Sequence, residues 1–328
     1  MRVFVTGASG WIGSAVVPEL IGAGHEVVGL ARSDASAAAL ADAGAKVRRG
    51  TLDDLDTLRD AAAESDGVIH LAFKHDIAFS DGFDVAADAD RSAIDAFGEA
   101  LAGSDRPFVI AGGLLGLAPG RVATERDGQA TGQEGGQATG QGQGQATGQG
   151  QGQEGDRGPA KRAVNAQVTV GLAERGVRSS VVRLSPTVHG DGDHGFLAQL
   201  VATAREKGVA GYVGDGANRW PAVHRSDAAR LFRLALESAP AGSTLHGVAE
   251  EGAPIRDIAD VIGRHLGLPT ASIPPADAPG HFAWLAPLIA LDSPASSTLT
   301  RDLLSWHPTG PTLLDDLDQG HYFTNHPA

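Results

Sequence analysis

Short apolar runs alternate with longer segments of helical periodicity along the first part of the chain. Runs rich in aliphatic and β-branched residues predict buried strands at residues 2–6, 26–30, 46–49, 67–72, 106–111 and 178–184. Apolar residues three or four positions apart predict helices at residues 11–23, 36–43, 55–63, 84–101 and 161–175. Strands that alternate with helices at this rhythm imply right-handed crossovers, and they therefore predict a parallel sheet.

The pattern changes from residue 185 onward. The elements become shorter, Pro and Gly become more frequent, and amphipathic helices are predicted at residues 227–236 and 255–266. We therefore predict an α/β fold in which residues 1–184 form a Rossmann-type, doubly wound sheet. Residues 185–328 are expected to form a small α/β cap, partly interleaved with that domain, at the open edge of the sheet where ligands of such folds bind.

A Gly/Gln-rich insertion at residues 126–157 interrupts this pattern. It repeats QATGQ from Gln129, Gln137 and Gln145, and it contains no aliphatic residue larger than alanine. Such a composition cannot offset its own ordering entropy, so we expect a disordered loop. The predicted sheet resumes after the insertion, so the repeat is not a domain linker. We interpret it as a passive loop, with a flexible lid over the neighbouring pocket as the alternative.

The overall composition narrows the class of protein. The formal net charge of −14 argues against a nucleic-acid backbone or an anionic membrane as a partner. The absence of cysteine excludes disulfides, thiolate metal sites and cysteine nucleophiles. The N-terminal apolar run is too short for a signal peptide, and no run approaches the ~20 apolar residues of a membrane span. A soluble, cytoplasmic protein is the expectation.

A glycine-rich loop follows the first predicted strand directly. The stretch TGASGWIG places Gly7, Gly10 and Gly13 between a strand and a helix. In a dinucleotide site, glycines at these positions permit the tight turn, the approach of the backbone to a pyrophosphate, and close packing of helix on strand. The free N–H groups at the start of the following helix favour an anion. The loop therefore predicts a dinucleotide-binding site.

With this loop the sequence resembles the extended or atypical, epimerase/dehydratase-like branch of the short-chain dehydrogenase/reductase superfamily. The resemblance continues through GTLDD at residues 50–54, IHLAF at 69–73, VVRLSPTVHGDG at 181–192 and WPAVHRSDAARL at 220–231. It implies that Asp53 meets the adenine, that residues 71–73 line the cofactor and that residues 185–188 flank the nicotinamide. The cofactor-binding residues expected on this basis are Thr6, Gly7, Ser9, Gly10, Trp11, Ile12, Gly13, Ala31, Arg32, Ser33, Asp53, Leu71, Ala72, Phe73, Ala111, Pro186, Thr187 and Val188.

The end of the second predicted strand indicates which nucleotide binds. Family members that bind NAD carry an acidic residue there, whereas this chain reads GLARSD, with Arg32 in that corner. A guanidinium suits a 2′-phosphate, so NADP(H) is predicted over NAD(H). Asp34 is expected to cap the next helix. The alternative for Arg32 is an ordinary solvated surface residue.

The catalytic residues of the family have no obvious counterpart in the sequence. The resemblance implies a serine or threonine after the fifth strand, where Ala111, Gly112 and Gly113 stand. It also implies a tyrosine four residues before a lysine, but that window reads RGPAKR, with Arg157 or Gly158 at the tyrosine position. The counterpart of the lysine is Lys161, with Arg162 as the alternative.

Histidine offers a substitute proton-transfer group at neutral pH. His75 follows the fourth strand, in a loop that borders the nicotinamide in this fold, and we predict it and Lys161 as the catalytic residues. His189, His194 and His224 are weaker candidates, and for every one of these histidines a purely structural role is the alternative. The stretch HGDGDH offers too few ligands for a metal, so no metal is predicted.

The sequence predicts an NADP(H)-dependent oxidoreductase or epimerase/dehydratase-like enzyme that acts on a small carbonyl or hydroxyl compound. Phe196, Trp220 and Trp284 are expected to wall a substrate pocket in the cap, unless they form the cap's own core. The alternative function is a catalytically silent, NADP(H)-binding regulatory or scaffold protein. A homodimer through the helices predicted at residues 84–101 and 161–175 is implied by the resemblance only.

Overall fold

Seven parallel strands form one large sheet, which runs in order through Ser243–Gly247, Arg178–Leu184, Pro107–Gly113, Gly67–His70, Arg2–Thr6, Glu26–Ala31 and Lys46–Arg49. The computed structural model describes residues 1–80, 82–118, 120–128 and 157–324. The strands are β1 Arg2–Thr6, β2 Glu26–Ala31, β3 Lys46–Arg49, β4 Gly67–His70, β5 Pro107–Gly113, β6 Arg178–Leu184, β7 Thr187–His189, β8 Ala210–Val213, β9 Arg219–His224, β10 Ser243–Gly247, β11 Glu250–Pro254 and β12 Thr270–Ile273. The order reverses at β1 and β4, as in a doubly wound Rossmann-type sheet, and confirms the predicted fold class.

Some of the helices cover both faces of this sheet, and the others belong to the smaller part of the molecule. The helices are α1 Gly13–Gly22, α2 Asp34–Asp42, α3 Leu55–Ala63, α4 His75–Ser80, α5 Phe83–Leu101, α6 Arg157–Gly171, α7 Phe196–Lys207, α8 Arg225–Ser238, α9 Ile255–Leu266, α10 Ala278–Phe282, α11 Ala286–Ile289, α12 Thr298–Leu304 and α13 Leu313–Asp318. Side chains alternate along β1, so that Val3 and Val5 pack against α1 and α8 while Phe4 faces Phe97 of α5 on the other side. The buried strands thus hold two apolar layers together.

The smaller part of the molecule is built on two short sheets. One has the strand order β11-β9-β7, and the other pairs β12 with β8 in parallel. Helices α7, α9 and α13 enclose an apolar core around the fully buried Trp220. Within the residues assigned to the cap, β10 pairs with β6 at the edge of the large sheet, and α8 packs on that sheet. The two parts are therefore interleaved along the chain.

Several predicted boundaries shift for identifiable reasons. Helix α1 begins at Gly13 rather than at residue 11, because the glycine loop runs on to Ile12. The prediction that Asp34 caps α2 was wrong, because Ser33 is the N-cap: its Oγ accepts from the Ser36 N–H at 3.2 Å, and the Ser36 Oγ accepts from the Ser33 N–H at 3.0 Å. Asp34 is the first residue of α2 and pairs with Arg49.

The predicted disorder of the QATGQ repeat concerns residues that lie outside the described ranges. Within those ranges, no helix combines the length and the apolar character needed to cross a membrane.

Candidate active site

The glycine loop after β1 is shaped by contacts that only glycine can make. Gly7 has a φ of +65°, and a Cβ atom there would lie 2.7 Å from the backbone nitrogen of Ala72. A Cβ on Gly13 would lie 2.1 Å from the Gly7 carbonyl oxygen, and the Gly10 N–H donates to that same oxygen at 3.0 Å. Ser9 and Gly10 are exposed at the start of α1. The loop is therefore a backbone cradle beside a helix N-terminus, which suits a pyrophosphate.

Trp11 joins this loop to the segment that follows β6. Its indole Nε1–H donates to the Val188 carbonyl at 2.9 Å, and the Arg225 guanidinium lies 4.3 Å from the centre of its ring system. Thr187 is buried and donates its hydroxyl to the Pro221 carbonyl at 2.7 Å. The predicted residues Pro186, Thr187 and Val188 thus lie beside the glycine loop, together with Trp11 and Ile12.

The cleft is the region bounded by the glycine loop, the ends of β2 and β4 and residues 186–188. Its far end, after β2, carries two exposed or half-exposed ion pairs. Ala31, Arg32 and Ser33 follow β2, and the Arg32 Nη1 lies 3.2 Å from a carboxylate oxygen of Asp76. Lys74 contacts both carboxylate oxygens of Asp53, at 2.6 and 2.7 Å. Asp76 is on α4, 44 positions from Arg32 in the sequence, and sequence reasoning missed it.

A chain of buried polar groups lies beneath the cleft, between β1, β4, α5 and α6. The Thr6 Oγ1 lies 2.6 Å from His70 Nδ1, and His70 Nε2 lies 3.2 Å from Asp90 Oδ1. The Asn165 side-chain amide donates to the other Asp90 oxygen at 2.8 Å, and the Ala72 N–H donates to Thr6 Oγ1 at 3.3 Å. Because a carboxylate only accepts, a neutral His70 carries its proton on Nε2 and accepts from the Thr6 hydroxyl. The network fixes the end of β4 relative to α5 and α6.

Asp90 supplies the negative charge of this network. Burial by itself would raise the pKa of Asp90, but the hydrogen bond from His70 and the charges of His70 and Arg162 outweigh it and lower that pKa. Both of its oxygens accept hydrogen bonds from neighbours, His70 on one and Asn165 on the other. Asp90 is therefore an ionised, fully bonded group at neutral pH.

Arg162 and His75 both contact the ring of Phe73, close to this network. The Arg162 guanidinium carbon lies 4.1 Å from the Phe73 ring centre, and the His75 ring centre is 5.1 Å away, edge to face. Burial, and then the positive charge of Arg162, lower the pKa of His75. Lys161 points elsewhere, with its Nζ at 2.9 Å from both carboxylate oxygens of Asp88 on α5. Of the two predicted lysine counterparts, Arg162 is therefore the one beside His75.

The end of β5 presents no hydroxyl side chain to this region. Its last residues are Ala111, Gly112 and Gly113, and a Cβ on Gly113 would meet nothing within 4 Å. Arg157 and Gly158 begin α6. Both tyrosines of the chain lie in the smaller part of the molecule: Tyr212 is in β8, and the Tyr322 hydroxyl donates to Asp193 at 3.0 Å.

The weaker histidine candidates have different surroundings. His189 is fully buried and bonds the Asp316 carboxylate at 2.9 Å, while His224 is the N-cap of α8, with its Nδ1 accepting from the Ser226 N–H. His194 contacts Trp11 edge to face, and its charge contributes to the lowered pKa of His75. His194 therefore faces the cleft, whereas His189 has a structural partner.

Of the aromatic residues of the cap, one is part of the apolar core and another is exposed to solvent. Trp220 is part of the cap core, and Phe196 lies between it and Trp284, with ring centres 5.5 and 5.9 Å apart. Trp284 remains 46% exposed.

Among the described residues, no group of three or more His, Asp or Glu side chains could hold a metal ion.

Residues 3–84, in the N-terminal part of the chain, match the model of the NAD dependent epimerase/dehydratase family. The chain is 44% identical over 324 residues to the uncharacterized protein C2A9.02 of Schizosaccharomyces pombe, which covers 98% of this chain and 100% of that protein. It is 45% identical over 319 residues to the uncharacterized protein YLL056C of Saccharomyces cerevisiae, with 97% and 98% covered.

Two solved structures illustrate the shared fold. The dTDP-glucose 4,6-dehydratase DesIV from Streptomyces venezuelae, solved with NAD, has a TM-score of 0.71 at 19% identity and matches over 98% of this chain and 96% of that one. The UDP-glucose 4-epimerase of Thermotoga maritima, solved with UDP-glucose, has a TM-score of 0.70 at 17% identity, with 98% of each chain covered. The chain therefore belongs to the same family as these two uncharacterized fungal proteins. Its N-terminal match to the NAD dependent epimerase/dehydratase family and the shared fold agree with the resemblance carried by the sequence motifs.

Proposed function

We propose that this protein is a nicotinamide-dinucleotide-dependent enzyme that oxidises or reduces a small hydroxyl or carbonyl compound, with His75 as its proton-transfer group. The observation that carries the proposal is that His75 and Arg162, from α4 and α6, both contact the ring of Phe73, which lies on the chain segment that leaves β4 beside Gly7. The family match and the NAD-bound dehydratase of the same fold support the cofactor class.

The glycine loop fits such a cofactor, because Gly7 and Gly13 permit a turn too tight for any Cβ atom, which leaves the exposed backbone of Ser9 and Gly10 free to approach a pyrophosphate. When bound, the nicotinamide supplies the hydride acceptor or donor. The loop residues Gly7, Gly10 and Gly13 with the start of α1 would hold the pyrophosphate. The segment that Trp11 anchors, residues 186–188, would lie beside the nicotinamide.

The protonation state of His75 favours one direction of reaction at neutral pH. Its lowered pKa keeps the imidazole neutral, so it accepts a proton more readily than it donates one. A neutral His75 takes the proton from a substrate hydroxyl, and the positive charge of Arg162 stabilises the oxyanion that develops. The residues are thus suited to the oxidation of an alcohol, and the reverse reaction is expected to gain from lower pH.

We propose NADP(H) as the preferred cofactor, on the strength of Arg32 at the end of β2. Asp76 bears on this preference, because its carboxylate is already paired with Arg32 and competes with a 2′-phosphate for the guanidinium. The two charges together set the discrimination between the phosphorylated and unphosphorylated nucleotide.

His75→Gln tests the proposal directly, because glutamine keeps a polar side chain but cannot transfer a proton at neutral pH. Turnover of NADP⁺ or NADPH with a panel of alcohols, aldehydes, ketones and sugar nucleotides is expected to fall by about 10²- to 10⁴-fold. Cofactor affinity, measured by quenching of protein fluorescence, is expected to stay the same. Equal turnover in the variant and the parent protein would contradict the role of His75.

A second candidate function is binding of the dinucleotide without redox chemistry. The observation that favours it is the end of β5, where Ala111, Gly112 and Gly113 bring no hydroxyl towards His75. In that case the protein would bind NADPH tightly and give no turnover with any member of the panel. A regulator or scaffold of this kind would also be indifferent to His75→Gln.

A further inference from the structure

Arg162 differs from Arg106, Arg183 and Arg233, which are also wholly or partly buried, in its lack of hydrogen-bond partners. Arg106 donates to the carbonyls of Ala62, Ala63, Ser65 and Ala100, and Arg183 donates to the carbonyl of Asp127. Arg233 bonds the carboxylates of Glu19 and Glu237. Among the described residues, nothing accepts a hydrogen bond from Arg162 or forms an ion pair with it, and its Nε is enclosed without a partner.

The neighbours of Arg162 explain why its guanidinium stays unsatisfied. Phe73 covers one face of the planar group at 4.1 Å, and a ring accepts no in-plane hydrogen bond. Asp90 is the nearby carboxylate, but its two oxygens already accept from His70 and Asn165. A half-buried cation without hydrogen-bond partners lowers the stability of the folded protein unless a further group accepts its hydrogen bonds. The protein itself, as far as it is described, does not provide that group.

The position of the guanidinium defines which ligand could accept its unused hydrogen bonds. The enclosed Nε and the stacked face leave only the two terminal nitrogens, which can donate side by side to one planar acceptor. A carboxylate monoanion matches that pair of parallel donors. A phosphate dianion would be repelled by the ionised Asp90 and would need more donors than the site offers.

We propose that Arg162 binds the carboxylate of the substrate, and that the substrate is a small hydroxy acid or the corresponding oxo acid. This inference rests on the proposed function, because it places the hydroxyl-bearing carbon of the acid next to His75 across Phe73. The carboxylate anchors the molecule, and the adjacent hydroxyl faces the imidazole that accepts its proton. Arg162 is thus a substrate-binding residue that selects an anionic substrate over neutral ones.

The test is a binding measurement that does not depend on turnover. The protein is saturated with NADPH, which cannot accept a hydride, and titrated with 2-hydroxy and 3-hydroxy monocarboxylic acids of three to six carbons and with their primary amides. Binding is followed by NADPH fluorescence and by calorimetry. Each acid and its amide have the same shape, so that the ratio of their affinities reports the carboxylate contact alone.

The best-binding acid is expected to exceed its amide by about 10- to 100-fold, the range for a hydrogen bond to a charged group. Arg162→Met should abolish that ratio while leaving NADPH affinity unchanged. Arg162→Lys keeps the positive charge but lacks the two parallel N–H donors, so it should retain only part of the acid-to-amide affinity ratio. If Arg162→Met does not fold, Arg162→Lys still tests the proposal. Arg91→Met, which removes a half-exposed arginine paired with Asp95 on α5, is the matched control and should keep the full ratio.

Three results would overturn the proposal. One is equal affinity for acid and amide, or binding of no member of the panel. A second is a ratio that survives Arg162→Met. The third is a loss of NADPH affinity in Arg162→Met with the ratio intact, which would place the guanidinium on the cofactor instead. Since hydride transfer is absent from the assay, failure of the proposed redox activity would be seen separately, in the His75→Gln experiment.

Discussion

The two halves of the cleft are built by different means. The half at the end of β1 is made of backbone: at Gly7 and Gly13 the chain folds so tightly that a side chain has no room. The half at the end of β4 is made of side chains from separate elements, with His75 and Arg162 meeting over Phe73. The first half depends on residues that are adjacent in sequence, and the second depends on how α4, α5 and α6 pack. The first therefore tolerates almost no substitution, whereas the second is adjustable within one fold.

The largest effect is expected from removing the buried charge under the side-chain half. Asp90→Ala leaves His70 without its acceptor on Nε2, Asn165 without one of its two acceptors and Arg162 without a nearby counter-charge. It should cost about 3–5 kcal/mol of unfolding free energy. Urea denaturation measures it. Asp88→Ala, two residues away on α5, removes an exposed partner of Lys161 and should cost at most about 1 kcal/mol. Similar losses in the two variants would show that the network does not hold this half together.

The pH dependence of that stability has a definite sign. Because the pKa of Asp90 is lowered in the folded protein, its charge contributes stability above the ordinary value of 3.8, and that contribution is lost as the pH falls through the lowered value. The difference between the parent protein and Asp90→Asn should therefore shrink on acidification below about pH 4.

In the half made of backbone, adding a single methyl group to a glycine should lower stability. Gly13→Ala places a Cβ against the Gly7 carbonyl and the Ala8 backbone, and overpacking of this kind costs about 1–3 kcal/mol or more. Loss of NADPH binding should accompany the loss of stability. Gly22→Ala, in the same helix α1, meets nothing within 4 Å and should leave stability unchanged or raise it by up to about 1 kcal/mol. Equal behaviour of the two variants in urea would contradict the cradle geometry.

A smaller effect is expected where the nucleotide meets exposed charges. Arg32→Ala should weaken the binding of NADPH by about tenfold, because an exposed charge-assisted hydrogen bond contributes binding free energy at the lower end of the range for such bonds. Asp76→Asn should strengthen NADPH binding, because it removes the competing carboxylate. Fluorescence titrations with NADPH and NADH give both affinities, and a parallel change for NADH would rule out a role in recognising the 2′-phosphate.

The smallest predicted change is a displacement of the pH–rate profile. In the oxidation direction His75 must be neutral, so kcat should be constant near neutral pH and fall about tenfold per pH unit below its pKa. Arg162→Met removes a positive charge that lowers that pKa, so the falling limb should move to higher pH. Steady-state kcat between pH 5 and 8 tests it, and an unmoved limb would separate His75 from Arg162.

The sequence identified the fold and the cradle from local signals. The alternation of strands and helices, with the three glycines between the first strand and the first helix, was sufficient to predict the sheet and the loop, because both depend on neighbouring residues. The sequence also pointed to His75, since the end of β4 has a known place in this sheet. It could not distinguish Lys161 from Arg162, because adjacent residues on a helix point about 100° apart and only the packing of α6 on α5 selects one of them.

The residues that the sequence missed share one property. Asp76, Asp90 and Asn165 act on partners 20 to 75 positions away, and none of them belongs to a motif. Apolar periodicity and glycine spacing predict the sheet and the glycine cradle, because those follow from patterning and short-range sterics, and the motifs of the sequence carry the family resemblance. The tertiary structure alone decided which charges meet in the cleft, because Coulomb interactions and hydrogen bonds depend on distances that chain order does not set.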